Sequence, residues 1–143
     1  MYKSILLPVD LSSTPTQTKA LDVAVTMARA MGAQVNVMTV VPDFGMTIVS
    51  GFFPEGFEEK AMKEAKAKLH AYVEENLPDD VKVGHMVGHG TIYTEILRVA
   101  EEAGIDLIVI ASHRPELSDY LLGPNAARVV RHADCSVLVV RGD

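Results

Sequence analysis

Two five-residue runs contain no polar side chain: Ile5-Leu6-Leu7-Pro8-Val9 and Leu107-Ile108-Val109-Ile110-Ala111. Both are too short to span a membrane and the second is rich in β-branched residues, so each reads as a strand covered on both faces. Strands of this kind occupy the middle of a parallel sheet. What lies between and around them must then supply helices for both faces.

Helical and strand patterns alternate along the rest of the chain. Thr14, Pro15 and Gln17 fit the N-cap, N1 and N3 positions of a first helix, whose inner stripe is Leu21, Ala24, Val25, Ala28 and Met31 and whose stop is Gly32. Val35–Val41 reads as a strand closed by Pro42. From Phe57 to Leu77 a second helix carries Met62, Ala65, Leu69, Tyr72, Val73 and Leu77 inward, with Glu59–Lys63 and Glu64–Lys68 paired on a solvated face. Val81–Val87 alternates weakly, as an outer strand does. Gly90-Thr91 opens a third helix that stops at Gly104, Pro124–His132 forms a short fourth, and Val137–Val140 is a last strand ending at Arg141. Five strands and four helices over residues 1–143 predict one α/β domain, a doubly wound parallel sheet with right-handed crossovers.

Composition agrees with a single domain: 48% of the 143 residues are hydrophobic, and a chain of this size buries about 70% of its unfolded surface. A net charge of −6 without any long basic block argues against a wide nucleic-acid footprint. The lone Cys135 excludes an internal disulfide and a multi-cysteine metal cage. The amino end, with Lys3 and then Asp10 after a short apolar run, does not fit a signal peptide, and no run reaches membrane-spanning length. The expectation is a cytoplasmic protein with no membrane partner.

Two stretches stand apart from this regular pattern. Residues 42–56 lack helical or strand periodicity and contain Phe44, Phe52 and Phe53, which either staple the loop to the sheet or form a hydrophobic lid over a ligand. The turn Ala111-Ser112-His113-Arg114-Pro115 through Leu121-Leu122-Gly123-Pro124-Asn125-Ala126 follows a central strand and leads into a helix. A helix opening there turns the backbone amides of Gly123, Asn125 and Ala126 toward an anion. His113 and Arg114 either add positive charge there or are ordinary solvated loop residues. His85 and His89 are four apart on a strand and turn, a spacing that does not converge on a metal, and His132 suits a helix's last turn. No nucleophile, base and orienting acid assemble from local spacing, and the G-x-x-x-x-G-K-[ST] loop is absent. Nothing here makes a case for efficient catalysis.

From Ala111 through Arg141, and at Ile5–Asp10 and Gly90-Thr91, the chain resembles the universal stress protein family, within it the subgroup of universal stress proteins F and G. The resemblance implies a Rossmann-like, adenine nucleotide alpha hydrolase-like fold with strand order 3-2-1-4-5. In that order neighbouring first and fourth strands send the chain in opposite directions, opening a crevice at their carboxyl ends. A nucleotide in it would set its base among Pro8, Val9, Val40 and Ile110. Asp10 either accepts from the ribose or caps the turn that follows it.

The family's motif, G-x-x-G, about nine residues, then G-[ST], falls on Ala111, Arg114, Gly123 and Pro124, of which Gly123 alone matches. The subgroup's S-[HR]-x-P and L-L-G-S-N-A pattern is met at Ser112, His113, Pro115, Gly123, Asn125 and Ala126, with Pro124 replacing serine. Proline removes one amide and the hydroxyl, and a lost hydrogen bond to a charged group costs about 1.5–3 kcal/mol. The resemblance therefore implies binding of ATP, or of AMP or ADP, with or without Mg2+. It further implies a stress-response sensor or regulatory module, at most a slow ATPase or autophosphorylating protein, and a two-fold homodimer through Val137–Val140. A nucleotide-free module that contacts an unidentified protein is the alternative reading.

Overall fold

The two apolar runs do occupy the centre. A computed structural model of the chain describes residues 1–11, 18–41, 56–112 and 123–141. Its elements in chain order are β1 Ser4–Pro8, α1 Thr18–Met31, β2 Gln34–Val41, α2 Phe57–Asn76, β3 Val83–His89, α3 Ile92–Glu102, β4 Leu107–Ser112, α4 Gly123–His132 and β5 Ser136–Arg141. All strand pairs are parallel and the order is β3-β2-β1-β4-β5, as the family resemblance implied.

Alternation along the strands divides the core in two. Ile5, Leu7, Val9, Val35, Val37, Leu107, Val109 and Ala111 pack with α1 and α2 residues such as Ala24, Leu69 and Tyr72. Leu6, Met38, Ile108 and Ile110 point the other way, onto Ile96 and Val99 of α3 and Ala126 and Val129 of α4. Ile5, Leu6, Leu7, Ile108, Val109 and Ile110 are fully buried, each worth about 1.5–3 kcal/mol relative to exposure. The sheet is thus wound on both faces, α1 and α2 on one and α3 and α4 on the other. Gly32 and Gly104 end their helices with φ of +66° and +68°, the left-handed stops expected of them.

Polar contacts hold the register at the amino ends of the strands. Asp106 accepts from the backbone amides of Lys3 and Ser4 at 2.9–3.2 Å, joining the starts of β1 and β4. Buried Asn36 donates to Ser4 Oγ and the Ile5 carbonyl and accepts from Gln34 Nε2. Opposite it in the register stands Gly84, where a Cβ would come within 2.7 Å of Asn36 Oδ1.

Some boundaries move. β3 runs from Val83 to His89 rather than 81–87, because the Pro78–Asp80 turn takes Val81, whose amide donates to the Pro78 carbonyl. Glu59, Lys63, Glu64 and Lys68 are exposed on α2, as a solvated face requires, but among the described residues the i,i+4 polar contact between side chains on that helix is His70 Nε2 to Glu74 Oε1 at 2.9 Å. The Thr14–Gln17 capping box and the phenylalanine loop from 42 to 55 lie outside the described residues. No described helix is long and apolar enough to cross a membrane.

Candidate functional site

At the carboxyl ends of neighbouring β1 and β4 the chain departs toward opposite faces, to α1 and to α4. Pro8, the last residue of β1, is buried beside Met38 of β2. Leu6 pairs with Ile108, and continuing that register sets Pro8 abreast of Ile110. Val40 and Ile110 both belong to the α3–α4 side, so strand alternation gathers Pro8, Val40 and Ile110 on one face.

The remaining predicted positions distribute differently. Val9 is 3% exposed with its side chain in the α1–α2 core and its amide donating to the Met38 carbonyl at 2.8 Å. Ala111 shares that opposite face. The slot read from the sequence therefore divides across the sheet, as period-two alternation requires. Ile110 is fully buried against Ile96 and Val129, acting as the floor beneath the strand ends rather than as an open wall. Asp10 and Ser112 are half-buried just past β1 and at the end of β4. His113 and Arg114 lie outside the described residues.

α4 opens at Gly123, one residue before Pro124, beyond the end of β4. A proline in the first turn costs no helix hydrogen bond, because amides there have no intrahelical partner, but it contributes no donor to an anion. Asn125 has a role in its side chain as well. Its side-chain Oδ1 accepts from the Tyr93 amide at 3.1 Å, in the first turn of α3. Thr91, the N-cap residue of α3, makes no side-chain cap bond, so a residue 32 positions away serves instead. Ala126 is 3% exposed between the two helices.

Sequence reasoning missed this junction and the polar cluster next to it. Glu95 accepts from the His89 amide at 3.0 Å and from Arg98 at 2.8 and 3.0 Å. Arg98 holds its carboxyl below the usual carboxylate range; burial opposes this and the His89 amide reinforces it. Gly88 makes room, since a Cβ there would meet Glu95 Oε1 at 3.0 Å. The His89 imidazole leaves Nε2 buried without a hydrogen-bond partner. On the outer side, the Arg128 guanidinium lies 5.1 Å from the centre of the Tyr93 ring, which stacks at 6.3 Å on His132. A local clue to the Glu95 contact existed in Gly88, but none pointed to Asn125.

Chemically, the arrangement brings apolar strand ends beside the first turn of a helix, whose positive end suits an anion, so it fits a ligand that is apolar at one end and anionic at the other. Cys135 is half-buried and burial pushes its thiol up, consistent with packing. Among the described residues no three His, Cys, Asp or Glu side chains are grouped to hold a metal ion.

Comparison with known proteins agrees with the geometry. The model of the universal stress protein family matches residues 1–141. Universal stress protein G of Shigella flexneri is 35% identical over 143 residues, covering 99% of this chain and all of that protein. Among solved structures, that of MJ0577 from Methanocaldococcus jannaschii superposes with a TM-score of 0.79 at 29% identity, over 100% of this chain and 98% of the other. Universal stress proteins solved with cAMP and, from Archaeoglobus fulgidus, with dAMP share the fold at TM-scores of 0.60 and 0.67, both at 21% identity. They cover 99% and 96% of this chain and 98% and 97% of their own.

Proposed function

Because the chain belongs to the universal stress protein family, we propose that it is an adenine-nucleotide-binding regulatory module of the stress response. The observation that carries this reading is the switch point itself: β1 lies between β2 and β4, and α4 begins just beyond the carboxyl end of β4. In this reading the base rests over Pro8 and Val40, above the Ile110 floor. The phosphates meet the α4 amides with charge from His113 and Arg114, and Asp10 faces the ribose. The cAMP and dAMP complexes of related folds support an adenylate as the ligand. Pro124 leaves one amide fewer for phosphates, which favours AMP or ADP over ATP.

The decisive experiment is to denature the purified protein, separate the released small molecules by chromatography, and titrate the refolded or untreated protein calorimetrically with ATP, ADP and AMP, with and without Mg2+. Adenylate release or saturable heat is expected, and Gly123→Trp abolishes it. Absence of both for every adenylate overturns the reading in favour of a nucleotide-free interaction module. Phosphate release or transfer that Gly123→Trp removes would make the protein a slow ATPase or autophosphorylating enzyme. We also propose a homodimer through β5, whose free edge ends the sheet; gel filtration giving a concentration-independent monomer would count against it.

A further inference from the structure

At the β3 edge of the sheet, away from the strand ends, the exposed side chains of His70 on α2 and His85 on β3 meet. Their ring centres are 5.2 Å apart and their planes inclined by 54°. With Lys66 they line a cleft of about 430 Å³ floored by Ala67, Leu69 and Val87. Two imidazoles on one tetrahedral ion, with metal–nitrogen bonds of about 2.0–2.1 Å, hold their ring centres about 5 Å apart. The pair already stands at that spacing, and exposed rings turn their nitrogens inward by side-chain rotation alone.

His70 Nε2 also lies 2.9 Å from Glu74 Oε1. In the neutral imidazole whose Nε2–H donates to Glu74, Nδ1 keeps its lone pair, the arrangement by which a carboxylate behind a histidine fixes the tautomer of a metal-binding ring. We propose that His70 and His85 form an open site for a divalent transition-metal ion of the zinc, nickel or copper class, with Glu74 orienting His70. Imidazole ligation selects these ions over magnesium and calcium. Water and an anion attracted by Lys66 fill the remaining positions, because no third protein ligand closes a cage. The bound ion ties α2 to an edge strand that otherwise has one neighbour, so it stabilises the folded chain by mass action. This site is independent of the nucleotide reading.

The test uses the full chain without a histidine tag, titrated with ZnCl2 and with MgCl2 by calorimetry and thermal melting. Zinc is expected to bind and raise the melting temperature, and magnesium to do neither. His70→Ala and His85→Ala each lose the zinc response, Glu74→Gln weakens binding about 10-fold or more, and His132→Ala responds as wild type. Three results overturn the proposal: no zinc heat or melting shift in the wild type, an equal response to magnesium, or a zinc response that survives in the His70→Ala, His85→Ala double variant.

Discussion

Asn125 Oδ1 accepts the Tyr93 amide at 3.1 Å, so the first turn of α4 caps the first turn of α3. The helix start proposed to receive phosphate is thereby fastened to the neighbouring helix, although the two residues are 32 positions apart. Asn125→Ala frees the Tyr93 amide and is expected to cost about 1 kcal/mol, the usual value of a lost cap. Urea denaturation should show a lower midpoint at unchanged slope. Asn125→Asp, which keeps an acceptor, should recover most of the loss. An unchanged midpoint in Asn125→Ala would show that the cap contributes nothing.

Gly84 faces Asn36 across the β2–β3 register, with 2.7 Å between a Cβ at 84 and Asn36 Oδ1. Gly84→Ala must displace a buried carboxamide that already makes three hydrogen bonds, and overpacking of this kind costs about 1–3 kcal/mol. Shortening the opposing side chain should relieve it. In a double-mutant cycle, Gly84→Ala is therefore less costly in an Asn36→Ala background than in the wild type, and simple additivity of the two losses would refute the clash.

Asp106 carries the clearest pH dependence. Burial pushes its carboxyl up, but the amide hydrogen bonds from Lys3 and Ser4 outweigh this and leave the folded pKa below the ordinary range. A carboxylate with a depressed folded pKa contributes stability that is complete above its unfolded pKa of about 3.9 and lost as pH falls through the folded value. Asp106→Asn should therefore be less stable than the wild type at neutral pH. The gap should close in acid, as measured by urea midpoints across that range. A gap independent of pH would place the effect of the substitution in packing alone.

Ile110 is fully buried and Val130 is 50% exposed on the outside of α4. Ile110→Ala should cost about 2–5 kcal/mol by opening a cavity between β4 and the α3–α4 pair, whereas Val130→Ala should stay within about 0.5 kcal/mol. Thermal melts of the two variants check this directly. A mild effect at Ile110 would mean that the strand end is open space instead of a packed floor.

The runs Ile5–Val9 and Leu107–Ala111, the helical stripe Leu21 to Ala28 and the stops at Gly32 and Gly104 were legible in order along the chain, because periodicity and left-handed glycines act over a few residues. The start of α4 at Gly123-Pro124 was legible for the same reason. Alternation along extended chain already puts adjacent Pro8 and Val9 on opposite faces. Only the assembled sheet decides that one of those faces meets α1 and α2 and the other α3 and α4. The strand order came from family resemblance for a related reason: apolar runs specify that strands are buried and leave open which of them are neighbours.

By itself, then, the sequence determined the elements and their succession, since propensity, patterning and capping are short-range. Tertiary structure alone decided that Asn125 meets Tyr93, that Gly84 clears Asn36 and that His70 faces His85. These contacts join residues far apart in the chain, and their geometry exists only once β3 has paired with β2 and α3 has packed beside α4.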